Sequence, residues 1–155
     1  MKLAIITDQH FGARKGADYI HKYFKKFYDN IFFPYLEKNK IDTIVDMGDT
    51  FDNRRNIDLA TLEWSKKNYY DRLQAMGITV HTIVGNHTAY YKDTNEINTV
   101  DLLLKEYDNV EVYSEPTTVN IGGLDILMLP WINEENKMKT LEMMDTTSAD
   151  VIMGH

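Results

Sequence analysis

Four short groupings in this sequence carry residues that can hold metal ions or move protons. They are Asp8-Gln9-His10, Gly48-Asp49 with Asp52 three residues on, Gly85-Asn86-His87, and Gly154-His155. Three of the five histidines fall in these groupings; only His21 and His81 lie elsewhere. The chain has no cysteine, so an ion bound here is held by carboxylate, amide and imidazole donors rather than thiolate. That donor set suits a hard-to-borderline divalent ion such as Mn²⁺, Mg²⁺, Fe²⁺ or Zn²⁺. A glycine beside three of the groupings lets the backbone turn sharply and come close to an ion. Two divalent ions about 3.5–4 Å apart, bridged by one carboxylate, are the usual device for in-line attack on phosphorus.

Each grouping follows a short apolar run that reads as a strand: residues 3–6, 43–47, 78–84 and 151–153. The run at 43–47 is the most telling. A strand buried on both faces ends there in a carboxylate, which needs a partner. Alone, Asp49 reads as the cap of the helix that follows it. With three companion strand ends it reads as a ligand, because ligands bind at the carboxyl ends of strands in α/β sheets and parallel strands would bring all four ends to one edge.

Helical patterns fill the intervals. Ile20, Tyr23, Phe24, Phe27, Tyr28, Ile31 and Tyr35 recur at helical spacing and are expected to cover the sheet, with Pro34 kinking or restarting the helix. Asp58 is the expected N-cap of a second helix with Leu59, Leu62, Lys66, Tyr69, Tyr70, Leu73 and Met76 on its inner face, and Gly77 ends it. A polar, tyrosine-bearing loop spans 88–96. A third helix carries Ile97, Val100, Leu103, Leu104 and Tyr107. Val110–Tyr113, Thr117–Ile121 and Leu124–Leu129 read as strands, the last two joined by the two-residue turn Gly122-Gly123. A methionine-rich helix is expected over 134–145. Alternating strand and helix imply βαβ units and a parallel sheet, and the late hairpin implies mixed strands or a second sheet. The fold class is α/β. His81, in mid-strand, reads as a packed or edge histidine.

The length of 155 residues suits one domain, and the composition, 43% hydrophobic and 26% charged, is that of a globular protein. No run is long enough to span a membrane, and the apolar stretch at residues 3–6 meets Asp8 too early for a signal peptide, so a cytoplasmic location is expected. A net charge of −7 argues against a surface that grips nucleic acid all round. Local basic pairs remain at Arg14-Lys15, Arg54-Arg55 and Lys66-Lys67.

Asp-x-His, Gly-Asp-x-x-Asp and Gly-Asn-His, in this order and at these separations, resemble the calcineurin-like metallophosphoesterase superfamily. Asp8-Gln9-His10-Phe11-Gly12, Gly48-Asp49-Thr50-Phe51-Asp52-x-Arg54 and Leu129-Pro130-Trp131 look most like its SbcD-type double-strand-break repair nucleases, among them the recombination endonuclease subunits of tailed phages. The resemblance implies a sandwich of mixed β-sheets flanked by helices and a metal-dependent nuclease of DNA recombination and repair. It implies two divalent ions, foremost Mn²⁺ with Mg²⁺ as the alternative. Asp8 and His10 would hold the first ion, Asp49 would bridge both, and Asn86 and His155 would hold the second. His87 would be the catalytic histidine, with Asp52 and Thr88 behind the ligands. Arg14, Arg54 and Arg55 would contact DNA phosphates. The implied partners are DNA, an SbcC-type coiled-coil ATPase and a second copy of the chain, with no membrane; exposed parts of the second and third helices are where the dimer contact is expected. A phage-encoded version would work in the host cytoplasm.

Two departures shape these expectations. The family usually has a carboxylate directly after Gly-Asn-His, where this chain has Thr88, which supplies no charge to favour a protonated His87. The family also takes its last ligands from a Gly-His-x-His segment that this sequence lacks. Residues 1–155 are therefore expected to be the N-terminal part of a single nuclease domain, without a capping domain and with activity reduced or lost. The alternatives are a small-molecule phosphatase or phosphodiesterase of the same superfamily, and a non-catalytic fragment that dimerises or binds a partner.

Overall fold

The computed structural model describes residues 2–155; Met1 lies outside them. The apolar runs become β1 (Ala4–Ile6), β2 (Thr43–Asp46), β3 (Thr79–Ile83), β4 (Val110–Tyr113), β5 (Thr117–Ile121), β6 (Leu124–Leu129) and β7 (Val151–Gly154). Between them lie α1 (Ala13–Gly16), α2 (Asp18–Phe27), α3 (Phe33–Asn39), α4 (Leu59–Ser65), α5 (Asp71–Ala75), α6 (Thr99–Leu104) and α7 (Lys137–Thr146). β1 to β4 pair in sequence order, every pair parallel, as helical crossovers require.

β5 and β6 form the expected antiparallel hairpin. Gly122 and Gly123 take φ of 57° and 91°, the left-handed turn geometry that matches strand twist. β7 lies parallel to β6 in this second sheet, with Leu129 paired to Gly154. The four strand ends come from both sheets. Three arrive on the first sheet, and His155 arrives on the second.

Alternation along β2 builds a sandwich. Ile44 turns to the helices, joining Tyr28, Tyr69, Leu73 and Val80, while Val45 turns to the second sheet, joining Ile83, Tyr113, Ile126 and Met128. The first sheet is thus covered on both faces, which explains its continuous apolar runs. The Trp131 N–H donates to the Val84 carbonyl at 2.8 Å, tying the end of β6 to the end of β3.

The first helical stripe differs from expectation. Phe24 and Tyr28 pack inward, together with Phe32, Phe33 and Leu36, but Tyr23, Phe27, Ile31 and Tyr35 are exposed, Tyr23 to 69%. Tyr23 and Phe27 lie off the buried face of α2 itself; for Ile31 and Tyr35 the cause is a π turn at Tyr28–Phe32, closed by the Phe33 N–H reaching back to the Tyr28 carbonyl. One extra residue per turn rotates everything beyond it, so spacing read at 3.6 residues loses its phase. Pro34 follows directly, in the first turn of α3, where the helix restarts after the π turn. A second π turn, Lys66–Tyr70, joins α4 to α5. Asp58 caps α4 through the Thr61 N–H at 2.8 Å, and Gly77 takes the left-handed conformation beyond α5. Leu59 is 82% exposed rather than inner-facing, since it lies in the first turn of α4. In the helices where a dimer contact is expected, Tyr69, Tyr70 and Tyr107 are buried while Leu59 and Leu102 are exposed; a further exposed apolar stripe runs along α2 and α3.

Candidate metal centre

The loops after β1 and β2 run side by side, extending the parallel ladder beyond the strands. Asp8 N–H donates to the Gly48 carbonyl (3.0 Å), His10 N–H to the Asp49 carbonyl (3.0 Å), and Phe11 N–H to the Thr50 carbonyl (2.8 Å). Asp8, His10 and Asp49 take φ of 53°, 46° and 53°. Non-glycine residues seldom adopt this left-handed region, and clustered strain of this kind is characteristic of functional sites. It turns Asp8, His10 and Asp49 so that their donor atoms lie within 4.8 Å of one another.

His10 Nε2 lies 3.5 Å from Asp8 Oδ1 and 4.0 Å from Asp49 Oδ2. Its Nδ1 lies 3.2 Å from Asp52 Oδ1, at an angle that gives no hydrogen bond. Asp52 also places its carbonyl 2.7 Å from His87 Nδ1, which leaves Nε2 as the free nitrogen of His87 when Nδ1 carries the proton. The His10 and His87 rings meet edge to face at 4.9 Å. Asp52 therefore bonds His87 through its backbone carbonyl, while its side chain lies close to His10 without a hydrogen bond. Donor atoms of His10, Asp52 and His87 form a second cluster of possible ligands.

Asp49 is the pivot. It is only 3% exposed, and its Oδ1 accepts the His87 backbone N–H at 2.8 Å. Its Oδ2 faces His155 Nε2 at 3.4 Å. Burial alone would raise the Asp49 carboxyl, but His155 and the His87 amide outweigh it and hold the group below the usual carboxylate range. His155 is raised in turn, by its bond to Asp49 against the effect of burial, with help from the Met47 carbonyl. That carbonyl sits 2.8 Å from His155 Nδ1, and Asn86 Oδ1 sits 3.0 Å from Nε2. With an acceptor beside each ring nitrogen, the surroundings of His155 favour its charged form, between Asp49 and Asn86. A divalent ion bound by the same three side chains would take over that charge.

Close backbone approach makes this possible. A Cβ on Gly85 would stand 2.2 Å from Asp49 Oδ1, and one on Gly48 would stand 2.9 Å from His155 Nδ1. Thr88 is buried and its hydroxyl closes the loop on the Gly85 N–H and carbonyl, at 3.0 and 2.9 Å, so it braces the turn rather than touching the His87 ring. Arg54 donates from Nη2 to the Asn86 carbonyl at 2.6 Å and lies over Trp131. It is committed to the protein, unlike Arg14, which is exposed, and Arg55, which is exposed and lies over Tyr90.

Sequence reasoning passed over Asp46 and Gln9. Asp46 is fully buried, and burial pushes its carboxyl up to about 6 against three hydrogen bonds that pull it down. The signal was present: an aspartate inside the apolar run at 43–47 is a buried carboxylate that needs donors. Arg54 as a support for Asn86 had no signal in its spacing.

A family model described as calcineurin-like phosphoesterase matches residues 1–153. Exonuclease subunit 1 of Enterobacteria phage T4 is 38% identical over 157 residues, a match covering 100% of this chain and 45% of that protein. The chain thus spans less than half the length of this curated relative. A solved structure of a protein of unknown function from Aquifex aeolicus superposes with a TM-score of 0.52 at 18% identity, covering 97% of this chain and 75% of that one. At that identity the likeness is one of fold.

Proposed function

The chain belongs to the calcineurin-like phosphoesterase family, and from that premise we propose that it is the metal-bearing part of a dinuclear-metal phosphodiesterase acting on DNA. The observation that carries this reading is the convergence of Asp8, His10, Asp49, Asn86, His87 and His155 from four strand ends onto one buried carboxylate. The donor set fits divalent ions: oxygen and imidazole ligands, an Asp49 with an oxygen for each side, and a His155 whose Nδ1 is held by a backbone carbonyl. Asp8, His10 and Asp49 would hold one ion, and Asp49, Asn86 and His155 the other. Mn²⁺ is the proposed metal, with Mg²⁺ as the alternative. When bound, such ions activate water and neutralise phosphate charge.

The chain's own residues supply the rest. His87, fixed at Nδ1 by the Asp52 carbonyl, can offer Nε2 to the scissile phosphate and donate its proton to the leaving oxygen when the ring is charged. Arg54 holds the Asn86 backbone and Thr88 holds the turn that carries His87; Arg14 and Arg55, both exposed, would contact DNA phosphates. The T4 relative is named an exonuclease subunit. That name supports a nucleic-acid substrate and a partner subunit; a role in DNA recombination and repair with an SbcC-type ATPase, as a homodimer in the host cytoplasm, is part of the proposal and rests on the resemblance of the motifs alone. Among the described residues no helix is long and apolar enough to cross a membrane.

The test compares two substrates in Mn²⁺: linear duplex DNA and a small chromogenic phosphodiester. Cleavage of both, lost in Asp49→Ala, supports the proposal. Turnover of the small ester alone points to a small-molecule phosphodiesterase, and turnover of neither, with no Mn²⁺ bound, points to a non-catalytic partner-binding role.

A further inference from the structure

Asp46 sits where the strand pattern calls for an apolar residue. Its neighbours Ile44 and Val45 are fully buried on opposite faces, and Asp46 is buried as completely. A carboxylate in such a place costs stability unless its partners compensate. Its partners all belong to two loops. Oδ2 accepts from Gln9 Nε2 at 3.1 Å and from Thr50 Oγ1 at 3.0 Å, and Oδ1 accepts from the Gly48 N–H at 3.1 Å. Gln9 stands between Asp8 and His10, and Gly48 and Thr50 stand on either side of Asp49. Asp46 itself belongs to neither cluster of possible ligands.

We infer that Asp46 is a positioning residue, locking the loop of Asp8 and His10 in register with the loop of Asp49 from beneath the metal centre. The inference rests on the metal-centre reading given above. The three ligands it serves, Asp8, His10 and Asp49, are all held at positive φ, a conformation that costs energy and persists where the surroundings over-determine it. A single oxygen, Oδ2, is shared between the two loops, so a shift of either is felt by the other. The lock is anchored behind by the Tyr28 hydroxyl, which donates to Gln9 Oε1 and is itself fully buried in the aromatic core. Core packing around α2 is thereby tied to ligand geometry through four side chains.

The probe is Mn²⁺ alone, with the free ion followed by electron paramagnetic resonance at neutral pH, on the wild type and on Asp46→Leu, Asp46→Asn, Gln9→Met and Asp49→Ala. Folding of each is checked by circular dichroism. Asp46→Leu keeps the volume and loses the lock, so Mn²⁺ affinity should fall about 10- to 100-fold, the range seen when supports of metal ligands are removed. Asp46→Asn can regain a bond to Gln9 by turning over the Gln9 amide, and should restore most of the affinity. Should Asp46→Leu fail to fold, Gln9→Met cuts the link to the first loop alone and should weaken Mn²⁺ binding in the same sense. The inference is overturned if folded Asp46→Leu, or Gln9→Met in its place, binds Mn²⁺ like the wild type while Asp49→Ala does not bind. If Asp49→Ala binds like the wild type, or the wild type binds no Mn²⁺, the metal-centre reading fails and the lock with it.

Discussion

His155 reaches Asp49 from the other sheet of the sandwich, with its Nε2 3.4 Å from Asp49 Oδ2 and its Nδ1 2.8 Å from the Met47 carbonyl. The contact joins the end of β7 to the loop after β2, so the proposed centre lies at the seam of two sheets. Both groups are shifted towards their charged forms, Asp49 downward and His155 upward.

Metal binding at this pair should be coupled to proton release. His155 must give up the proton that Asp49 helps it keep before Nε2 can ligate, so affinity should weaken as pH falls through the raised pKa of His155. Calorimetry of Mn²⁺ binding near neutral pH, in buffers of different ionisation heat, should show protons leaving. Heats independent of the buffer would count against His155 as a ligand.

Gly85→Ala should disrupt the centre without removing a ligand. The new methyl would meet Asp49 Oδ1 at 2.2 Å and the Asp49 backbone nitrogen at 2.5 Å, which forces the loop apart. Overpacking of this kind costs roughly 1–3 kcal/mol. A lowered melting temperature together with weakened Mn²⁺ binding is expected; a variant unchanged in both would show that the loop is not as close-packed as described.

Stability should respond to pH through Asp46. Its folded pKa is raised from 3.8 to about 6, so the stability linked to its neutral form is present below the unfolded value and is lost as pH rises through about 6. About two units correspond to about 3 kcal/mol. In chelator, the melting temperature of Asp46→Asn relative to wild type should climb between about pH 4 and about pH 7, from the unfolded value to about one unit above the folded one. A difference that stays flat would mean Asp46 is ionised throughout.

Arg54 and Arg55 should separate by substrate. Arg54 supports the Asn86 carbonyl, so Arg54→Ala should slow the small phosphodiester and DNA alike, by about tenfold or more. Arg55 is exposed, so Arg55→Ala should weaken DNA binding and leave turnover of the small ester intact. Equal effects of the two variants on both substrates would contradict this division.

Much of this arrangement could be read from residue order. The apolar runs, the Asp58 cap, the Gly122-Gly123 turn and the four polar strand ends are local signals, and local chemistry decides them. The phase of α3 relative to α2 was hidden because a π turn leaves no mark at 3.6-residue spacing. The route of β7 was hidden too, since pairing with β6 rather than with the first sheet depends on contacts between distant segments. Asp46 was visible as an anomaly, a carboxylate in an apolar strand, but the donors that explain it come from residue 9 and from residues 48 and 50. Only the fold brings those loops together.

The most direct test is an anomalous difference map from crystals grown with Mn²⁺. The account predicts two peaks about 3.5–4 Å apart, one among Asp8, His10 and Asp49 and one among Asp49, Asn86 and His155. Peaks elsewhere, or a map empty at Asp49 with the protein folded as described, would contradict it.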